Sequence, residues 1–109
     1  MSYKISVAGK FEREIKRLIK KFPSLKTEFA DLLKLLKSDP FIGSPMGSDC
    51  YKIRISIASK GKGKSGGARV ITHVYVAQTT VYLLSIYDKS EQADITDKEL
   101  QQILAGIGK

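Results

Sequence analysis

One segment of the chain alternates apolar and basic residues with a period of two. Successive side chains of a β-strand point to opposite faces of a sheet, so this alternation predicts a strand with one buried face and one basic face. The apolar set is Tyr51, Ile53, Ile55 and Ile57, and the polar set is Lys52, Arg54 and Ser56. The two cations must therefore point to the same side of the sheet.

Positive charge is concentrated around this strand. Residues 50–87 contain no carboxylate, and the whole chain carries nineteen Lys and Arg against eleven Asp and Glu, a formal net charge of +8. Arg69 lies early in the next predicted strand, where cross-strand neighbours meet Lys52 and Arg54. Converging cations repel one another unless an anion lies between them, so the pattern favours a phosphate site and a nucleic-acid partner over a solvated basic loop.

The N-terminal half is predicted to be mainly helical. Residues 3–7 alternate as a first strand, and apolar residues then recur at helical spacing in residues 11–22 and 25–36. Pro23 separates the two stretches, which indicates a helical hairpin. Residues 40–49 contain two prolines and two glycines and are predicted to form a loop.

The C-terminal half is predicted to be mainly strands. Residues 60–67 form a glycine-rich connection, and residues 68–77 and 80–87 are two further strands, apolar at most positions as central strands are. Thr96 and Glu99 predict a capping box for a short final helix. We expect one α+β domain over residues 1–109, a small antiparallel β-sheet with an N-terminal two-helix hairpin packed on it and a short C-terminal helix.

Three features suggest other chemistry. Residues 58–65 match the loose form of a phosphate-binding P-loop, but β-type sequence follows where that motif needs a helix. His73 could act as a general base, although its position within an apolar strand favours a structural role. Cys50 is interpreted as a small buried hydrophobe. The lone cysteine cannot form an internal disulfide, and one Cys and one His cannot make a metal site without recruiting carboxylates, so no cofactor or metal is predicted.

No segment has the length and apolarity of a membrane span or of a signal peptide. Together with the lone cysteine, this predicts a cytoplasmic protein with no membrane partner.

Three segments, taken in order, resemble the RelE/ParE superfamily of bacterial toxins, and within it the RelE and HigB-like branch. They are residues 49–54, 67–71 and 81–91, which read DCYKIR, GARVI and VYLLSIYDKSE. The resemblance implies a ribonuclease that enters the ribosomal A site and cuts the mRNA there without a metal. It also implies that a small cognate antitoxin neutralises the protein.

The resemblance also assigns residues to roles. It places Lys52 and Arg54 among the cations that bind phosphate and transfer protons, makes Arg69 a transition-state stabiliser, and puts Lys89 where an arginine serves the leaving group. RelE uses a tyrosine at the position of Ile95, so Tyr87 is the nearest substitute for activating the 2′-hydroxyl. The loop lysines have no counterpart in relatives with a short hairpin and are predicted to bind ribosomal RNA. They are Lys60, Lys62 and Lys64.

Two alternatives belong to other classes of function. A ParE-like toxin would inhibit DNA gyrase by binding and would need no catalytic cations. A catalytically inactive binding module could keep the fold while Ile95 marks the loss of activity.

Overall fold

The computed structural model describes residues 2–60 and 66–107, which form three α-helices and a five-stranded sheet. The helices are α1 (Gly9–Lys21), α2 (Leu25–Ser38) and α3 (Asp97–Gly106). The strands are β1 (Lys4–Val7), β2 (Ser44–Gly47), β3 (Cys50–Ile55), β4 (Ala68–Tyr75) and β5 (Thr80–Asp88). Short 3₁₀ turns occupy Ala58–Lys60 and Val76–Gln78.

The sheet has the strand order β1-β5-β4-β3-β2. The strands β2 to β5 form antiparallel neighbours, whereas β1 pairs with β5 in parallel. The sheet is therefore mostly antiparallel, and β4 and β5 lie at its centre. Both central strands are buried along nearly their whole length, as their apolar sequences predicted.

Two apolar cores lie on opposite faces of the sheet. The larger core packs α1 and α2 against one face, with Phe11, Leu18 and Leu36 fully buried. The smaller core packs α3 against the other face through Leu100, together with Ile71 and Leu84 of the sheet. Because β3 alternates, Ile53 and Ile55 join the larger core, and the basic face of β3 lies on the α3 side.

The helical hairpin, the three long strands and the final helix confirm the sequence predictions. Thr96 and Glu99 form the predicted capping box at the start of α3. One prediction was wrong, because the expected loop 40–49 contains β2, which pairs with the first half of β3. Four residues that include Pro45 are too few to show a period-two pattern. They form a strand because they pair with β3 at the edge of the sheet. No helix in the described parts of the chain is long and apolar enough to cross a membrane.

A β-bulge in β5 determines which face its last residues occupy. Ile71 pairs with Ser85 and Thr72 with Leu83, so Leu84 is an additional residue with no partner on β4. After the bulge, Ile86 points into the larger core and Tyr87 into the smaller one. The bulge therefore brings Tyr87 to the same face as the cations of β3 and β4.

Candidate active site

Two arginines and a tyrosine form a row across three strands on the α3 side of the sheet. Arg54 of β3 is the direct partner of Arg69 on β4, and Arg69 is in turn the partner of Tyr87 on β5. Arg54 is exposed, whereas Arg69 is only 5% exposed and donates from Nη1 to the Ala68 carbonyl oxygen at 3.1 Å. The register therefore confirms that Arg69 lies across the hairpin from the basic face of β3.

A carboxylate that the sequence did not reveal lies at the centre of this surface. The Lys52 ammonium donates to both oxygens of Asp94, at 3.1 and 3.2 Å, and the Tyr87 hydroxyl donates to Oδ1 at 3.3 Å. Asp94 belongs to the segment between β5 and α3, which has no periodic pattern, and it lies 42 positions from Lys52. No signal in the sequence could have placed it there.

The surroundings of Tyr87 and Asp94 shift the pKa of both side chains. Burial and the nearby charge of Asp94 raise the pKa of Tyr87 to about 12, although the Arg69 charge opposes this shift. The Ile95 backbone N–H and the Lys52 ammonium, both hydrogen-bonded to Asp94, hold the pKa of that carboxyl below its usual value. At neutral pH Tyr87 is therefore a hydrogen-bond donor and Asp94 an acceptor.

Lys89 follows β5 directly and helps to shape the segment that carries Asp94. Its backbone N–H donates to the Gly67 carbonyl, and its ammonium donates to the Ala93 carbonyl at 3.0 Å. Ile95, which the resemblance aligned with a tyrosine of RelE, is buried in the smaller core. Ile95 therefore contributes to the packing of the core, and the neighbouring residue, Asp94, contributes a carboxylate to the site.

Lys60 has a different environment from the one expected of a phosphate-binding residue. Its side chain is 8% exposed, and its ammonium lies 2.5 Å from Asp88 and 3.1 Å from the Ser90 hydroxyl. It also lies over the Phe22 ring, 5.4 Å from the centroid. In this conformation Lys60 anchors the base of the β3–β4 connection, whereas Lys62 and Lys64 lie outside the described residues.

The other motifs are structural. His73 is 1% exposed, and its Nδ1 lies 3.0 Å from the Ser48 carbonyl oxygen and 3.6 Å from the Cys50 sulfur, so both side chains are buried. Most of the P-loop match lies outside the described residues, but the chain continues from Ala68 as β4, a strand, where a P-loop requires a helix. Within residues 2–60 and 66–107, no cluster of His, Cys, Asp and Glu has the makings of a metal site.

Solved structures of bacterial toxins share this fold. A doubly substituted E. coli RelE in its free state is 17% identical, with a TM-score of 0.65 and coverage of 98% of this chain and 99% of that one. RelBE2, a toxin–antitoxin complex from Mycobacterium tuberculosis, gives 18% identity and a TM-score of 0.58, with 81% and 99% covered. The intact E. coli RelBE complex gives 20% identity and a TM-score of 0.51, with 80% and 96% covered.

The sequence itself carries the family assignment. The family model described as the RelE toxin of the RelE/RelB toxin–antitoxin system matches residues 11–107. This range includes most of α1, all of α2, strands β2 to β5 and α3. The chain belongs to the RelE toxin family.

Proposed function

We propose that this protein is a ribosome-dependent endoribonuclease that cuts translated mRNA in the ribosomal A site. The observation that carries the proposal is the cluster of Lys52, Asp94 and Tyr87 beside the Arg54–Arg69 pair. Proton donors, a carboxylate and guanidinium groups on one face are the groups that phosphodiester cleavage through the 2′-hydroxyl requires. RNA supplies its own nucleophile in that hydroxyl, so this chemistry does not require a metal or a cofactor.

Each cation has a role in the proposed reaction. Lys52 and Arg54 bind the scissile phosphate, and Lys52 also transfers protons. Arg69 neutralises the charge that builds up on the pentacoordinate phosphorus, and Lys89 offers positive charge to the leaving oxygen. Burial of Arg69 supports its role, because a charge fixed in a water-poor site stabilises a transition state more than a solvated one does.

The partners follow from the same proposal. Ribosome and mRNA are polyanions that suit a chain with a net charge of +8. Two of the similar structures are complexes of a toxin with its antitoxin, which supports a small cognate antitoxin as the protein that neutralises this chain. We place the activity in the cytoplasm, where the ribosomes are, and in a single domain that spans the chain.

The test is primer extension on a defined message, either free or bound to translating ribosomes. We expect cuts in the ribosome-bound message and none in free RNA. Arg54→Ala is expected to slow cutting by at least about tenfold, since it removes a phosphate-binding charge from an exposed side chain without disturbing the core. Arg13→Ala removes an exposed arginine from α1, on the other side of the sheet, and is expected to cut at the wild-type rate.

Other outcomes would point to the other classes. Inhibition of DNA gyrase without cuts in the message would indicate a ParE-like toxin. Ribosome binding without cuts would indicate an inactive binding module.

A further inference from the structure

Cleavage through the 2′-hydroxyl requires a group that accepts the proton of that hydroxyl. The residues that the family resemblance indicated do not supply one. Lys52, Arg54, Arg69 and Lys89 are cations, and Tyr87 keeps its proton because its pKa is raised to about 12. In the described parts of the chain, Asp94 is the one carboxylate in contact with Lys52 or Tyr87.

We propose that Asp94 is the general base of the reaction, an inference that rests on the proposed nuclease function. Its side chain is 57% exposed, whereas the Lys52 side chain is 30% exposed, so RNA can reach the carboxylate from solvent. The Ile95 backbone N–H, 2.8 Å from Oδ1, fixes the orientation of the carboxylate. The second oxygen, Oδ2, contacts Lys52 at 3.2 Å and is released when the Lys52 ammonium turns to a phosphate.

The reaction balances with the groups present. Asp94 takes the proton of the 2′-hydroxyl, and the 2′-oxygen forms a bond to phosphorus. The bond from phosphorus to the 5′-oxygen breaks, and that oxygen takes a proton from the Lys52 ammonium. The products are a 2′,3′-cyclic phosphate and a 5′-hydroxyl, and the protein is left with a neutral Asp94 and a neutral Lys52.

The contact between Asp94 and Lys52 then restores the starting state. Once the product leaves, the protonated carboxyl lies again within hydrogen-bond distance of the amine, 3.1 Å in the free protein. The proton moves from Asp94 to Lys52 because a lysine amine is the stronger base. A base and an acid that face each other in the free protein therefore need no outside proton donor between turnovers.

Phosphate binding also prepares the base. In the free protein, hydrogen bonds from Ile95 and Lys52 lower the pKa of Asp94, which makes it a weak base. A bound phosphate takes over the Lys52 ammonium and removes both of its hydrogen bonds to Asp94. The pKa of Asp94 then rises toward its usual value at the point where the proton has to be accepted.

The experiment compares Asp94→Asn, Tyr87→Phe and Asp97→Asn with the wild type, by primer extension at saturating toxin and by sedimentation with ribosomes. Asp94→Asn is expected to lower the cutting rate by at least about 10²-fold while ribosome binding stays within about twofold, because a base is needed only for the chemical step. Tyr87→Phe is expected to cut within about tenfold of the wild type, since it removes a single hydrogen bond. Asp97→Asn, a neighbouring exposed carboxylate on α3, is expected to cut normally.

A matched pair keeps the test decisive if the Asn variant unfolds. Asp94→Glu keeps the carboxylate, and Asp94→Gln replaces it with an amide of the same size, so only the Glu variant should retain measurable cutting. Equal rates for this pair, or an Asp94→Asn protein that binds ribosomes more tightly and cuts at the wild-type rate, would overturn the proposal and leave Asp94 as a stand-in for the phosphate. A wild-type protein that makes no cuts would instead overturn the nuclease function itself.

Discussion

The buried pair of Lys60 and Asp88 shows how one residue can differ from its sequence interpretation. The glycine- and lysine-rich run predicted three equivalent loop lysines, but Lys60 is enclosed by Asp88, Ser90 and the Phe22 ring. Burial alone would raise the pKa of Asp88, yet hydrogen bonds from Lys60 and Ser90 outweigh burial and lower it. We infer that Lys60 holds the start of the loop in place and that contact with RNA falls to Lys62 and Lys64.

We expect Asp88→Asn to lower the free energy of unfolding by about 3 to 5 kcal/mol at pH 7, since it leaves the Lys60 charge buried without a carboxylate to balance it. The sign of the pH dependence follows from the lowered pKa. The stabilisation is complete above the unfolded-state pKa of about 3.9 and is lost as the pH falls through the lower folded-state pKa. Urea unfolding at pH 7 and at pH 3 measures both effects.

Asp31→Asn, an exposed carboxylate on α2, is the control and is expected to change stability by no more than about 0.5 kcal/mol. If Asp88→Asn were as stable as the wild type at pH 7, the ion pair would contribute nothing to the fold. Lys60 would then be available to RNA as the sequence predicted.

At the scale of elements, the β3–β4 hairpin and the end of β5 together build the site. Gly67 lies where these elements meet, because its carbonyl accepts from the Lys89 backbone N–H and it directly precedes β4. A Cβ at this position would lie 2.1 Å from the Ile55 carbonyl oxygen, a backbone atom that cannot move away cheaply. Close approach of two backbones therefore requires glycine here.

Gly67→Ala is expected to destabilise the protein by about 1 to 3 kcal/mol, because the hairpin has to open to admit the methyl group. Cutting should fall as well, since Arg54 and Arg69 face each other across this hairpin. Gly106→Ala is the matched control. It adds the same methyl group in open space at the last residue of α3, and we expect it to be neutral or to stabilise the helix by up to about 1 kcal/mol. Thermal unfolding followed by circular dichroism compares the two, and equal melting temperatures would show that the hairpin tolerates the side chain.

At the scale of the whole molecule, charge is distributed unevenly over the two sides of the sheet. Several cations of α1 pair with carboxylates, such as Lys10 with Glu14 and Arg17 with Glu91. On the α3 side, Lys52, Arg54 and Arg69 lie together on β3 and β4, and Asp94 is the carboxylate that contacts Lys52. A polyanion that docks on the α3 side would meet these three cations together.

Replacing Lys62 and Lys64 with Gln is expected to weaken ribosome binding and to reduce its salt dependence, by roughly 0.7 in the logarithmic slope for each lost single-strand phosphate contact. Cutting at saturating toxin should largely survive, because these lysines lie outside the proposed chemistry. Sedimentation with ribosomes across a salt series measures the slope, and primer extension on the same samples measures cutting. Normal binding with lost cutting would place the loop lysines in the catalytic site.

Patterns among residues close together in the sequence determined much of the fold and part of the site. The alternation in β3 was enough to place Lys52 and Arg54 on one face, and the hairpin connection was enough to place Arg69 on the neighbouring strand, because strand periodicity and antiparallel pairing act between near neighbours. The helical hairpin and the capping box at Thr96 are equally local.

Only the tertiary structure decided the rest. A bulge of one residue at Leu84 turned Tyr87 toward the cations, and the sequence alone could not reveal it because an extra residue reverses the alternation without changing the composition. The contact of Asp94 with Lys52 depends on the pairing of β5 with β4 and on the packing of α3 on the sheet. Contacts between residues so far apart depend on register and packing, which no local pattern of residues encodes.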